Sequence, residues 1–129
     1  MKDIEKKTIE FFNFLNNDYG FSGPTITEDT WMTTIAYLGQ EIGVELEIDF
    51  RDMYIFVLIV RLSNGKLPSG YFVSNGKVNR IHLEKVINDG SKRKRVKSRD
   101  EFVDSIEYYS GLLELHLPTI ILESKKIFC

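Results

Sequence analysis

The sequence predicts an α+β fold: an N-terminal helix, an antiparallel β-meander of three main strands plus a short hairpin, and C-terminal helices packed on one sheet face. Three observations carry this reading. Residues 41–50 alternate apolar and polar without a break. Apolar residues at helical spacing lie on either side of the strand-rich middle. The two copies of SNGK, at 63–66 and 74–77, are turn signals. Helices flanking a run of antiparallel strands define the α+β class.

At the N-terminus, Ile4, Thr8, Phe11, Phe12 and Leu15 form one face of a helix over residues 3–17. Asn16-Asn17-Asp18-Tyr19-Gly20 stops it, with Gly20 suited to the left-handed conformation that ends helices. Residues 21–29 read as an extended piece and loop, because Pro24 has no N–H for a central sheet ladder. The first main strand spans 31–38, and Gly39-Gln40 forms a two-residue turn with Gly39 at positive φ. In the second strand, 41–50, Ile42, Val44, Leu46, Ile48 and Phe50 face a core. Glu41, Gly43, Glu45, Glu47 and Asp49 form the wet side. The third strand, 53–62, is apolar on both faces, which requires a central place or a covered outer face.

SNGK at 63–66 ends this strand, and the copy at 74–77 closes a tight hairpin, Asn-Gly being the favoured type I′ pair. Residues 79–88 read as a helix through Ile81, Leu83, Val86 and Ile87, closed by Asp89-Gly90. Ser98 with Glu101 three residues later is a capping box opening a further helix, whose face runs Phe102, Ile106, Tyr109, Leu113, Leu117. Pro118 is expected to break or restart that helix.

The bulk numbers suit one domain over residues 1–129: 43% hydrophobic and 28% charged residues can form a core without staples. The longest apolar run, Tyr54 to Val60, is too short to cross a bilayer. The N-terminus mixes acids and bases, unlike an export signal. The cysteine count is one, Cys129, so no internal disulfide forms and the cytosol is the default compartment; Cys129 reads as a frayed terminal thiol. Charge is asymmetric: residues 1–60 hold 4 Lys/Arg and 11 Asp/Glu, residues 61–129 hold 13 and 8.

Chemistry is sparse. His82 and His116 share no ligand spacing, so no metal site and no cofactor are expected. Phosphate-loop, dinucleotide and nucleophile-elbow patterns are absent. For an enzyme, Tyr108, Tyr109, Glu114 and His116 are the clustered candidates, and they need a polar pocket between sheet and helices; no catalytic residue is assigned.

The stretch SKRKRVKSR, 91–99, concentrates the cations Lys92, Arg93, Lys94, Arg95, Lys97 and Arg99. No aromatic residue interleaves them, which argues against nucleic acid. Arg99 stands at a helix start, the wrong end for a cation by the helix dipole. The stretch reads as a solvated connection, as a contact for an acidic surface, or, in the alternative functional reading, as a nucleic-acid or regulatory-protein binding site.

The acidic face of the second strand is the stronger lead. If Arg51-Asp52 is a two-residue turn, Glu45 faces Leu58, Glu47 faces Phe56 and Asp49 faces Tyr54, with Met32 and Thr34 alongside. One more turn residue inverts the third strand. In this register the face is an apolar, aromatic strip rimmed by carboxylates, the make-up of a protein-binding surface, unless a terminal segment covers it.

The run FLNNDYGF (Phe14 to Phe21), a Trp- and Tyr-bearing strand, and VELEIDFRDMYIFVLIVRLSNGKLP (Val44 to Pro68) together resemble small bacterial immunity-type proteins of polymorphic and contact-dependent toxin systems. The resemblance covers about half the chain and brings no catalytic motif. It implies a binding protein that neutralises a cognate toxin, often a basic domain. Glu45, Glu47, Asp49 and Asp52 would then meet the partner, with Tyr54 and Phe56 as anchors.

Overall fold

The alternating segment becomes the middle strand of a five-stranded antiparallel sheet with order β1-β2-β3-β4-β7. The computed structural model describes residues 2–74, 76–88 and 98–128. Its elements are α1 (Lys2–Phe11), α2 (Phe14–Asn17), β1 (Ser22–Glu28), β2 (Met32–Leu38), β3 (Ile42–Asp49), β4 (Tyr54–Arg61), β5 (Val73–Ser74), β6 (Lys77–Val78), β7 (Arg80–His82), α3 (Leu83–Val86), α4 (Arg99–Leu122) and α5 (Ser124–Ile127). The expected α+β architecture holds: β1 to β4 form the meander, and α1 and α4 pack together against one sheet face.

That face is the core. Ile35, Leu46 and Val57 are directly paired across β2, β3 and β4, and all three are fully buried. They meet Ile4 and Leu15 from the N-terminal helices, Phe12 from the break between them, and Phe102, Ile106 and Leu113 from α4 in one apolar cluster. Each such side chain stabilises the fold by roughly 1.5–3 kcal/mol on burial. Phe102 also sets its ring edge-on to Phe50 at 6.3 Å, joining the start of α4 to the end of β3.

The N-terminal helix is not continuous. It breaks at Phe12-Asn13 into α1 and α2. The break lets Phe12, Phe14 and Leu15, which a straight helix would spread around its axis, all reach the core. Gly20, at φ +69°, then turns the chain back, and the Phe21 N–H donates to the Leu15 carbonyl at 2.9 Å. The Asn16 amide donates to the carbonyls of Phe21 (2.8 Å) and Gly23 (3.1 Å), tying the start of β1 to α2. Residues 22–28, with Pro24, form an edge strand whose register shifts between Ser22 and Thr25, and both features accommodate a missing donor.

Four expectations need correction. Gly39 has no positive φ; glycine is required there because a Cβ would lie 2.8 Å from the Ile42 carbonyl and 2.9 Å from the Phe21 ring. The hairpin turns instead about Gln40-Glu41, closed by the Gly39 N–H to the Ile42 carbonyl at 2.9 Å. Residues 79–88 are not one helix: Arg80 to His82 pair with Val60 to Leu58 as β7, leaving one short helical turn in α3. Helix α4 runs through Pro118 to Leu122, with Pro118 on the solvent side, where water can serve the carbonyl that loses its donor.

The local signals hold. The Ser98 hydroxyl accepts from the Glu101 N–H at 3.2 Å, the first half of the capping box. Ser63 and Lys66 exchange backbone bonds of 2.8 and 3.0 Å around Asn64 and Gly65, both at positive φ as a type I′ turn requires. The second SNGK joins β5 to β6, with Val73 opposite Val78. Asp89-Gly90 lies outside the described residues.

Leu46→Ala, at the centre of the apolar face, is expected to cost about 2–5 kcal/mol of stability, read from the midpoint of urea unfolding at unchanged slope.

Candidate functional site

The second face of the sheet carries the predicted site, and its register is the expected one. Glu45 pairs with Leu58, Glu47 with Phe56 and Asp49 with Tyr54; Thr34 and Met32 lie beside Glu47 and Asp49 on β2. The connection is the four residues from Phe50 to Met53 rather than Arg51-Asp52 alone. Adding two residues preserves the pairing parity, so no strand inverts. One Asp49 carboxylate oxygen accepts from the backbone N–H groups of Arg51 and Asp52, both at 2.9 Å, and Met53 takes φ +59°. The aspartate builds the turn that Arg-Asp alone does not favour.

The expectation of a fully wet acidic face is corrected at Glu45, which is only 4% exposed. A segment from within the chain covers it: residues 70–72 cross over the middle of the face, and Arg80 on β7 reaches in beneath them. The Arg80 guanidinium donates to both Glu45 oxygens, Nε–Oε1 at 2.6 Å and Nη2–Oε2 at 3.1 Å. Its Nη1 donates to the carbonyls of Tyr71 (2.6 Å) and Gly70 (3.1 Å), and its carbon lies 4.6 Å from the centre of the Tyr71 ring. Both ionic side chains are under a tenth exposed. The planar fork of arginine suits this bidentate, stacked arrangement, which a lysine cannot reproduce.

Glu47 is half-buried and accepts a short hydrogen bond from the Tyr71 hydroxyl. Burial, and next the Glu47 carboxylate, push the Tyr71 phenol above its usual range, so it remains a donor at any physiological pH. Buried Asn79 completes the clasp: its amide donates to the Gly70 carbonyl at 2.8 Å, and its side-chain oxygen accepts from Arg61 at 2.7 Å.

An aromatic row runs along the edge of this cover. Tyr54, Phe56, His82, Phe72 and Tyr71 follow one another with ring-centre distances of 6.0, 5.8, 6.5 and 4.4 Å. Tyr71 and Phe72 are nearly half exposed, and Val73 and Val78 extend the apolar surface onto the β5–β6 hairpin. Asp52 is exposed and Asp49 half-buried at the β3–β4 end. Trp31, 56% exposed, stands at the same end, its carbonyl accepting from the Phe50 N–H at 2.8 Å.

The structure therefore brings Glu47, Asp49, Asp52, Tyr54 and Phe56 to one region and withdraws Glu45 into the scaffold. Sequence reasoning missed Tyr71, Phe72, Arg80 and Trp31, and did not connect His82 to this face. The one available signal was the aromatic pair after Gly70, unexpected in a loop between two turn motifs.

Of the basic stretch, Lys92, Arg93, Lys94, Arg95 and Lys97 lie outside the described residues. Arg99 hydrogen-bonds Asp3 of α1 through Nε at 2.8 Å and also through Nη2, which accounts for a cation at a helix start. That contact holds the Asp3 carboxyl below its ordinary value, chiefly through the hydrogen bond from Arg99.

Among the described residues no group of three His, Cys, Asp or Glu side chains could hold a metal ion, and no helix is long and apolar enough to cross a membrane. A cleft of about 770 Å³ opens at the opposite sheet end, where both SNGK turns meet Ser124 and Phe128 of the C-terminal segment. A second, of about 560 Å³, lies between Tyr19, Leu38 and Ile121. Tyr108, Tyr109, Glu114 and His116 line neither, and Tyr109 is spent in the core.

No family model matches the chain, and no curated protein or solved structure does either.

Two measurements probe the site's supports. Arg80→Ala leaves a buried carboxylate unpaired and is expected to cost about 3–5 kcal/mol, whereas Glu45→Leu with Arg80→Met together recover most of it; urea unfolding of the three proteins checks this. In an NMR titration, Asp3 is expected to move back up towards the ordinary carboxylate range in Arg99→Ala. Because the folded value is the lower one, this pair adds stability above the ordinary pKa and loses it as pH falls through the lowered pKa.

Proposed function

We propose that this chain is a binding protein that neutralises a cognate bacterial toxin by docking its aromatic, carboxylate-rimmed sheet face on a basic surface of that toxin. The observation that carries the reading is the row Tyr54–Phe56–His82–Phe72–Tyr71, exposed at Tyr71 and Phe72 and half-buried at the other three, beside Glu47, Asp49 and Asp52. Large aromatic side chains with a polar rim are the usual composition of binding hot spots. The clasp beneath them supports the same reading. Arg80 and Asn79 hold Tyr71 and Phe72 in place before any partner arrives, which lowers the ordering cost of binding.

The carboxylates have a separate role. Asp52 and Asp49 sit at the rim, where charges chiefly accelerate encounter with a cationic partner and set its salt dependence. Glu45, paired internally, contributes to the scaffold and not to the contact. The resemblance of residues 14–21 and 44–68 to immunity-type proteins points to the same class of partner, a toxin domain with a cationic surface.

The test begins with the genes on either side of this chain's own, where a toxin domain is expected, and a locus without one counts against the reading. Stoichiometric addition of the chain is expected to abolish the toxin's activity. Asp52→Lys is expected to slow association at low salt and flatten its salt dependence, with dissociation nearly unchanged. Phe56→Ala and Phe72→Ala are expected to speed dissociation, each weakening affinity roughly 30-fold, the scale of a hot-spot residue. A toxin that stays active with the chain in excess removes the neutralising role, and affinities unchanged in all three variants place the contact elsewhere on the chain.

A further inference from the structure

The 770 Å³ cleft at the far end of the sheet has walls from three parts of the chain. Strand β4 and its exit give Arg61 and Leu62, strand β6 gives Lys77 and Val78, and the C-terminal segment gives Lys125 and Phe128. Each wall is tied to its neighbour. The Leu62 N–H donates to the Glu41 carbonyl at 3.1 Å, joining the end of β4 to the β2–β3 turn. The Arg61 N–H donates to the Asn79 carbonyl at 2.7 Å, which holds the residue after β6. The Ser124 hydroxyl donates to the Glu41 carboxylate at 3.2 Å and fixes the C-terminal wall. The cleft is thus formed before any ligand enters, and its volume is that of a site for one small molecule.

Its charge is unbalanced. Arg61, Lys77 and Lys125 line it against one carboxylate, Glu41. None of the three cations forms an ion pair among the described residues. Arg61 is the fixed member. It is half-buried, its Nε donates to the Val78 carbonyl at 3.1 Å and its Nη2 to the Asn79 side-chain oxygen at 2.7 Å. Those bonds set the plane of the guanidinium, and its remaining N–H groups meet no acceptor among the described residues. Open donors on a held guanidinium suit an oxyanion, and the arginine fork matches the two oxygens of a carboxylate. The rest of the lining is apolar: Leu62 is buried, Phe128 half-buried and Val78 42% exposed. An inorganic anion leaves that surface unused. A nucleic-acid strand calls for cations spread along a face with stacking aromatics, whereas these are gathered in one bounded cleft.

We propose that this cleft binds a small organic acid, a monocarboxylate with an apolar body. The carboxylate sits on the open edge of the Arg61 guanidinium. Lys77 and Lys125, both exposed, add attraction from the rim. The apolar body lies against Leu62, Val78 and Phe128. The two parts of the lining act together: the cations select the charged end, and burial of the apolar end supplies affinity that a surface ion pair alone does not give. The site stands independently of the neutralising role and of the aromatic row.

The test is an NMR titration of the full chain with octanoate as the probe, with acetate and octanol as controls. Octanoate is expected to give saturable shifts at residues 61–65, 77–78 and 124–128. It is expected to bind at least tenfold tighter than acetate, since each buried methylene adds roughly fourfold, and at least tenfold tighter than octanol, which lacks the charge. Lys77→Glu with Lys125→Glu is expected to weaken octanoate at least tenfold and leave the rest of the spectrum in place. Arg61→Gln is expected to abolish binding; because Arg61 also holds Val78 and Asn79, the double lysine variant carries the test if this one unfolds. The proposal is overturned by the absence of saturable shifts at millimolar octanoate, or by shifts confined to the aromatic row. Octanol binding as tightly as octanoate removes the role of the cations, and acetate binding as tightly removes that of the apolar wall; either result overturns it, as does unchanged affinity in the double lysine variant.

Discussion

The ion pair between Glu45 and Arg80 organises the second face of this protein. A carboxylate at the centre of a sheet face is expensive to bury, and its partner's attraction alone rarely repays the desolvation. Here the guanidinium is also held by the carbonyls of Gly70 and Tyr71 and lies on the Tyr71 ring, so its donors are satisfied as the charge is neutralised. One side chain thereby joins β3, β7 and the crossing segment. Remove it, and Glu45 is stranded, Tyr71 loses its seat, and the reason for residues 80–82 to lie against β4 weakens.

From that latch follows the division of labour on the face. Its middle is closed and structural. Its margin, towards the β3–β4 turn and the β5–β6 hairpin, is aromatic and acidic. A held platform with large side chains at its edge is the feature on which the proposed binding role rests. The polar groups nearest the row are committed: Glu47 to Tyr71, Asp49 to its own turn, Arg80 to Glu45. The opposite face, shielded by α1 and α4, contributes stability, and α4 in turn presents a second apolar side to solvent.

Much of the fold was legible because its signals are local. The alternation over 41–50 identifies a strand by itself, since successive side chains of an extended chain point to opposite sides. The Ser98 cap and the Asn64-Gly65 turn depend only on neighbours a few residues away. The pairing of β3 with β4 was legible up to parity, which is why a four-residue connection left every cross-strand partner where a two-residue one would have put it. Residues 79–88 were misread because Ile81, Leu83, Val86 and Ile87 fit a helical face; the pairing of Arg80 to His82 with β4, some twenty residues earlier, overrode that local preference. Pro118 was misread because a break depends on whether the neighbouring carbonyl can reach water, a matter of which side the tertiary structure turns outward.

The sequence by itself determined that β3 has an apolar and an acidic side and, once the turn parity is given, which residues of β4 stand beside each carboxylate. Only the tertiary structure decided which carboxylates remain available. Glu45 and Asp52 are the same kind of signal in a sequence. One is buried because an arginine 35 residues away folds onto it, and the other is exposed because it sits at a turn that none of the described segments crosses. Strand periodicity is written in adjacent residues; solvent access depends on every segment that packs nearby, and no short window of sequence contains those.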